Sequence, residues 1–176
     1  LGPPPGLLAF LQNNITRITR LPEVDNRETL TCFAEYLGLE PEQMLVGNGT
    51  TQFIYSLPRA LGGCNGLIVG PTYSDYRDAL NRCRIPSVMS PSVESQDFQP
   101  DLEQLAQDLG EADTVYLCNP NNPTGVLIPH DDLLDLCRSH PRIDFIIDES
   151  YLPFVDEAEK KSLMSSRLQN VFVLKI

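Results

Sequence analysis

Apolar positions along the chain change period several times, and each change marks a predicted element. Spacings of three and four over residues 7–14 (Leu7, Leu8, Leu11) and 27–37 (Leu30, Phe33, Ala34, Leu37) predict two helices. The second is started by Asn26 or Asp25 and closed by Gly38, with a turn-like segment, Arg20 to Asp25, between the two. From Met44 onward, short apolar runs alternate with helical spacing. The runs predict strands at Met44–Val46, Gly66–Val69, Ile85–Met89, Thr114–Leu117, Asp144–Ile147 and Val171–Leu174. Helices are predicted at Gln52–Leu61, perturbed by Pro58, and at Tyr73–Arg82, Asp101–Leu109 and Asp131–Arg138. The Ser/Pro-rich stretch Ser87–Ser95, overlapping the end of one of these strands, reads as a loop. Strands separated by helices of this length predict an α/β fold, a mostly parallel sheet with helices on both faces, preceded by an N-terminal helical segment. The expected division is an N-terminal arm and helical segment over 1–40 and an α/β domain over 41–176.

In such a sheet the ligand lies beyond the carboxyl ends of the strands. Four polar stretches fall there. Gly47-Asn48-Gly49-Thr50-Thr51 sits between a strand and a helix, where glycines admit close backbone approach and free N–H groups favour a phosphate; an ordinary strand-to-helix turn has the same pattern. The dinucleotide fingerprint fails at Gln52, and a P-loop fails for want of Gly-Lys-Ser/Thr. Gly70-Pro71-Thr72-Tyr73 brings an aromatic ring to the same edge, as packing or as a ligand platform. Asn119-Pro120-Asn121-Asn122-Pro123-Thr124-Gly125 is a stiff loop whose prolines keep Asn119 and Asn122 out of helical geometry and hold the amides in set directions. Asp148, directly after Phe145-Ile146-Ile147, is a desolvated carboxylate in need of a partner. A salt bridge, a helix cap or a protonated ring nitrogen on a cofactor would each serve.

Totals narrow the function classes. A chain of 176 residues can bury one sizeable core. With 13 basic against 24 acidic residues, a net charge of −11 and the basic residues scattered, it offers no cationic face for nucleic acid or anionic membrane. No apolar run reaches the roughly 20 residues of a membrane span, and no leader pattern is present, so a cytoplasmic protein is expected. Cys32, Cys64, Cys83, Cys118 and Cys137 are odd in number, widely spaced and without a C-x-x-C pair, which favours reduced, buried thiols over disulfides or zinc. His130 and His140 stand at the ends of one predicted helix and outside metal-ligand spacing, so no metal is expected. The chain opens on a proline-rich Leu1-Gly2-Pro3-Pro4-Pro5-Gly6 and stops just after a strand, so a fragment of a longer protein is expected.

Taken in order, Gly-Asn-Gly-Thr-Thr, Gly-Pro-Thr-Tyr, Asn-Pro-Asn-Asn-Pro-Thr-Gly and Asp-Glu-Ser-Tyr resemble the pyridoxal-phosphate enzymes of aminotransferase fold type I, class I/II. Within that family the chain is most similar to the histidinol-phosphate aminotransferases and the threonine-phosphate decarboxylases of cobalamin biosynthesis. The resemblance implies a homodimer acting on an amino acid or amino-acid phosphate by transamination or, alternatively, decarboxylation. It implies that Gly49, Thr50 and Thr51 hold the cofactor phosphate and that Tyr73 stacks on the pyridine ring. Asn122 and Tyr151 would share the phenolic oxygen, and Asp148 would pair with the ring nitrogen. Asp148 and Tyr151 are thereby the catalytic candidates. Leu21 stands where the family often carries a tyrosine that reaches the other subunit's phosphate, and it cannot make that hydrogen bond. The lysine that binds the cofactor covalently is expected beyond Ile176, and Lys160, Lys161 and Lys175 do not match its place. A non-catalytic module that holds the cofactor or supplies dimer surface is the remaining alternative.

Overall fold

The computed structural model describes residues 2–176, which fall into two compact units, one running to Val46 and the other spanning Gly47–Ile176. The first contains helices α1 (Leu7–Asn14) and α2 (Arg27–Leu37), at the places the apolar spacing predicts. Asn26 does not cap α2. It adopts a left-handed φ of 52°, and the first N–H groups are taken by side chains placed earlier: Glu23 Oε2 accepts from Glu28 N–H at 2.9 Å and Asp25 Oδ1 from Arg27 N–H at 3.3 Å. Gly38 closes the helix in the left-handed conformation, as expected. The predicted strand at Met44–Val46 does not form. A short 3-10 turn, Pro41–Gln43, locked by reciprocal Glu40 and Gln43 bonds, leads into extended chain that pairs with no strand among the described residues.

The second unit is built on a five-stranded sheet whose four pairings are all parallel. Its elements are α3 (Gly49–Leu61), β1 (Gly66–Gly70), α4 (Asp75–Arg82), β2 (Ser87–Pro91), α5 (Leu102–Asp108), β3 (Thr114–Cys118), α6 (His130–Ser139), β4 (Asp144–Asp148), a short α7 (Ala158–Lys161) and β5 (Val171–Leu174). The strand order is β2-β1-β3-β4-β5. The chain therefore leaves β1 toward one edge, returns across it, and continues toward the other. This makes β1 and β3 the switch point.

The pleat sorts the core. Leu67, Val69, Val115, Leu117, Phe145 and Ile147 face α5 and α6, whereas Ile68, Tyr116, Cys118, Ile146 and Leu174 face α3 and α4. Both faces of β1, β3 and β4 are covered, and their continuous apolar runs follow from that. The edge strand β2 lies two residues beyond its predicted place and takes up part of the stretch read as a loop. Arg84 turns the chain with a φ of 58°, Gly66 N–H donates to Pro86 O, and pairing begins at Ser87. Asp101 caps α5 through the N–H groups of Glu103 and Gln104. Cys118 and Cys137 are buried as expected, but Cys32 and Cys64 are exposed, since neither lies on a face that α2 or the sheet covers. None of the five is paired.

Candidate functional site

The carboxyl ends of β1, β3 and β4 lie side by side and carry three of the four polar stretches. Register places Cys118 opposite Asp148, and Asn119 N–H continues the ladder by donating to Asp148 O at 2.9 Å. Beyond this point the loop from Asn119 to Ile128 is held by its own asparagines. Asn119, buried, accepts from Ile128 N–H at 2.8 Å and donates to Ile128 O at 3.1 Å. Asn121 donates to Pro71 O at 2.9 Å and to Thr124 Oγ1 at 2.8 Å, so the loops after β1 and β3 are stitched together. The Gly70-Pro71, Asn119-Pro120 and Asn122-Pro123 peptide bonds are cis. Asn119 and Asn121 thus hold the loop, and Asn122 makes no comparable side-chain bond among the described residues.

Asp148 is 4% exposed and receives three donors. Ser150 N–H and Ser150 Oγ–H reach Oδ1 at 3.0 and 2.6 Å, and Tyr76 O–H reaches Oδ2 at 2.9 Å. No basic side chain forms an ion pair with it among the described residues. A carboxylate accepts about four hydrogen bonds, which leaves one position for a further donor. Its neighbour Glu149, pointing to the opposite side of the pleat, is bound instead by Ser162 Oγ–H at 2.5 Å and Leu163 N–H at 2.8 Å. Burial raises the Glu149 pKa, an effect offset in part by those two donors, Lys175 and His130.

The start of α3 brings the fourth stretch to the same region. Ser150 Oγ lies 3.5 Å from Thr50 Oγ1. No side chain caps this helix, and Gly49 takes a φ of +74° with open space where a Cβ would stand. Gly47 is pressed by the Phe53 ring and Gln52, Asn48 N–H is taken by Gln52 Oε1 at 2.7 Å and Gly49 N–H by Gly47 O at 3.0 Å, so the first-turn N–H groups that remain for a ligand are those of Thr50 and Thr51. Tyr73 is 37% exposed and meets Tyr76 edge to face, with centroids 5.7 Å apart. Asp75 beside it, followed by partial burial, raises its phenol pKa. Tyr151 is exposed and tilts against Phe154 at 6.3 Å.

An uncapped helix start that offers N–H donors, a buried carboxylate with one acceptor position left and a half-exposed aromatic ring together suit an anionic ligand that carries a ring N–H. A family model for aminotransferase class I and II matches residues 7–174. The chain belongs to the aminotransferase class I and II family. Members of this family use pyridoxal phosphate. The chain is 35% identical over 161 residues to a histidinol-phosphate aminotransferase of Aeromonas hydrophila, covering 89% of this chain and 44% of that protein. It is 27% identical to the adenosylcobalamin biosynthesis bifunctional protein CobDQ of Leptospira interrogans, over 99% of this chain and 20% of that one. The crystal structure of L-threonine-O-3-phosphate decarboxylase from Porphyromonas gingivalis superposes with a TM-score of 0.79 at 28% identity, over 96% of this chain and 52% of that one. The chain therefore spans about half the length, or less, of these relatives.

Against this aminotransferase background, the residues fit the cofactor. The helix start suits a phosphate, and the one acceptor position on Asp148 suits a single ring N–H. Sequence reasoning missed Tyr76, Tyr116 and Ser150. Aromatics on an amphipathic helix and in a buried strand resemble ordinary core; the recoverable signal is that Tyr116, Cys118 and Asp148 all fall on one face of the pleat, each with a polar atom. No helix among the described residues is long and apolar enough to cross a membrane, and no group of three metal-ligating side chains occurs among them.

Proposed function

We propose that this chain is the N-terminal and central part of a pyridoxal-phosphate aminotransferase acting on an amino acid or amino-acid phosphate as a homodimer. The observation that carries the reading is Asp148, a buried acid with three donors, no cationic partner among the described residues and one acceptor position left. When bound, the protonated pyridine ring acts as an electron sink for negative charge developing at the substrate's α-carbon. Asp148 holds the proton on the ring nitrogen. Asn122 and Tyr151 donate to the phenolic oxygen, and Tyr73 covers one face of the ring. The N–H groups and hydroxyls of Thr50 and Thr51 take the phosphate at the start of α3, where the helix dipole favours negative charge, and Gly49, its own N–H held by Gly47 O, leaves open space for the phosphate to approach the backbone.

Full-length protein is expected to take up pyridoxal phosphate and show a visible absorption band that borohydride abolishes. A colourless protein that fails to bind the cofactor would sink the reading. Decarboxylation of threonine phosphate is the second reading, favoured by the relatedness to the cobalamin-biosynthesis protein and to the decarboxylase structure. Assays with histidinol phosphate plus 2-oxoglutarate, and with threonine phosphate while following carbon dioxide release, separate the two. Sedimentation of the full-length protein tests the homodimer.

A further inference from the structure

We propose that Tyr76 is a positioning residue for Asp148, working within a closed ring of contacts that ties this carboxylate to helix α3 by two routes. The inner route starts at Ile54 in the body of α3. Its carbonyl accepts from Tyr116 O–H at 2.6 Å, the Tyr116 ring stacks on Tyr76 with centroids 5.0 Å apart and planes 10° apart, and Tyr76 O–H donates to Asp148 Oδ2 at 2.9 Å. The outer route starts at Thr50 in the first turn of the same helix and reaches Asp148 Oδ1 through Ser150 Oγ, at 3.5 and then 2.6 Å. Oδ2 is therefore tied to the body of α3 through the two tyrosines, while Oδ1 is held by Ser150 N–H and Oγ–H, with the Ser150 hydroxyl in longer contact with the first turn of the same helix.

All members of the inner route are enclosed: Ile54, Tyr76 and Tyr116 are each 1% exposed or less. Burial, then Cys118 and Asp148, drive the Tyr76 phenol far above its usual pKa, so it stays a donor at every working pH. A carboxylate pinned at both oxygens cannot rotate, and its last acceptor direction is set before any ligand arrives. Because the helix tied to Asp148 also presents Thr50 and Thr51, the ring fixes the separation between a phosphate site and a ring-nitrogen site.

This inference rests on the proposed cofactor reading, and the test separates the two. Pyridoxal phosphate dissociation constants are measured by absorbance titration for full-length wild type, Tyr76→Phe, Asp148→Ala and the double variant, alongside circular-dichroism melting without cofactor. Tyr76→Phe is expected to weaken binding about tenfold in the wild-type background and less than about twofold when Asp148 is already alanine. Equal weakening in both backgrounds, or none in either, overturns the positioning role and reduces Tyr76 to packing. If wild type binds and Asp148→Ala weakens it while Tyr76→Phe does not, the inference alone fails. If wild type does not bind, the cofactor reading fails and the inference with it. Should Tyr76→Phe not fold, Tyr116→Phe keeps the stacked rings and removes only the anchor at Ile54. A loss of about threefold that disappears with Asp148→Ala supports the ring, and a loss that persists overturns it.

Discussion

Asp148 and Glu149 are adjacent acids with opposite surroundings, and single substitutions should tell them apart. On the proposed reading, in which Asp148 holds the ring proton, Asp148→Ala is expected to lower turnover of the full-length protein by about a hundredfold or more. It should also cost about 1–3 kcal/mol in chemical denaturation, because Tyr76 O–H is left buried without an acceptor. Glu149 makes a different prediction. Burial raises its folded pKa above the ordinary 4.5, so the folded state binds the proton more readily than the unfolded one. Its ionisation therefore lowers stability as pH climbs from that value through the folded pKa, and carries no penalty below both. Glu149→Gln should flatten this decline, and denaturation curves of variant and wild type should draw together, or cross in the variant's favour, as pH rises. The sequence exposed Asp148 because an acid following Phe-Ile-Ile is conspicuous. It did not expose Tyr76 or Ser150, because a hydroxyl's partner depends on strands and helices distant in the chain.

At the level of elements, what is legible in the sequence follows burial. Strands β1, β3, β4 and β5 were readable within a residue or so, being apolar runs covered by helices or neighbouring strands. The edge strand β2 was not, since its pattern of mostly exposed positions overlaps that of a loop. Met44–Val46 is the converse: three residues with strand-like composition and no partner strand among those described. The proline-bounded loop after β3 stood out in the sequence, but the division of labour among its asparagines did not, because that depends on which amide faces Ile128 and which faces Pro71. Asn119→Ala removes both bonds of the Ile128 clamp. It is expected to cost about 2 kcal/mol and to speed hydrogen exchange at the Ile128 amide, a change readable by NMR even where global unfolding is little affected.

At the scale of the chain, 24 acidic residues against 13 basic ones set the colloidal behaviour of this segment. Solubility of the isolated chain should pass through a minimum near its isoelectric point of about 4.5, seen as a turbidity peak that added salt broadens. The order β2-β1-β3-β4-β5 has another outcome, one that concerns time. Strand β1 emerges from the ribosome with two open edges, and β2 can close one of them soon afterwards. The other edge has to wait for β3, because no earlier segment among the described residues pairs there. At ordinary speeds of synthesis the stretch between Gly70 and Thr114 takes about 2 to 9 seconds. Throughout that interval a flat edge of Leu67, Ile68 and Val69 is open to any other extended chain nearby, and this is the stage at which a chaperone would do most for the yield of folded protein.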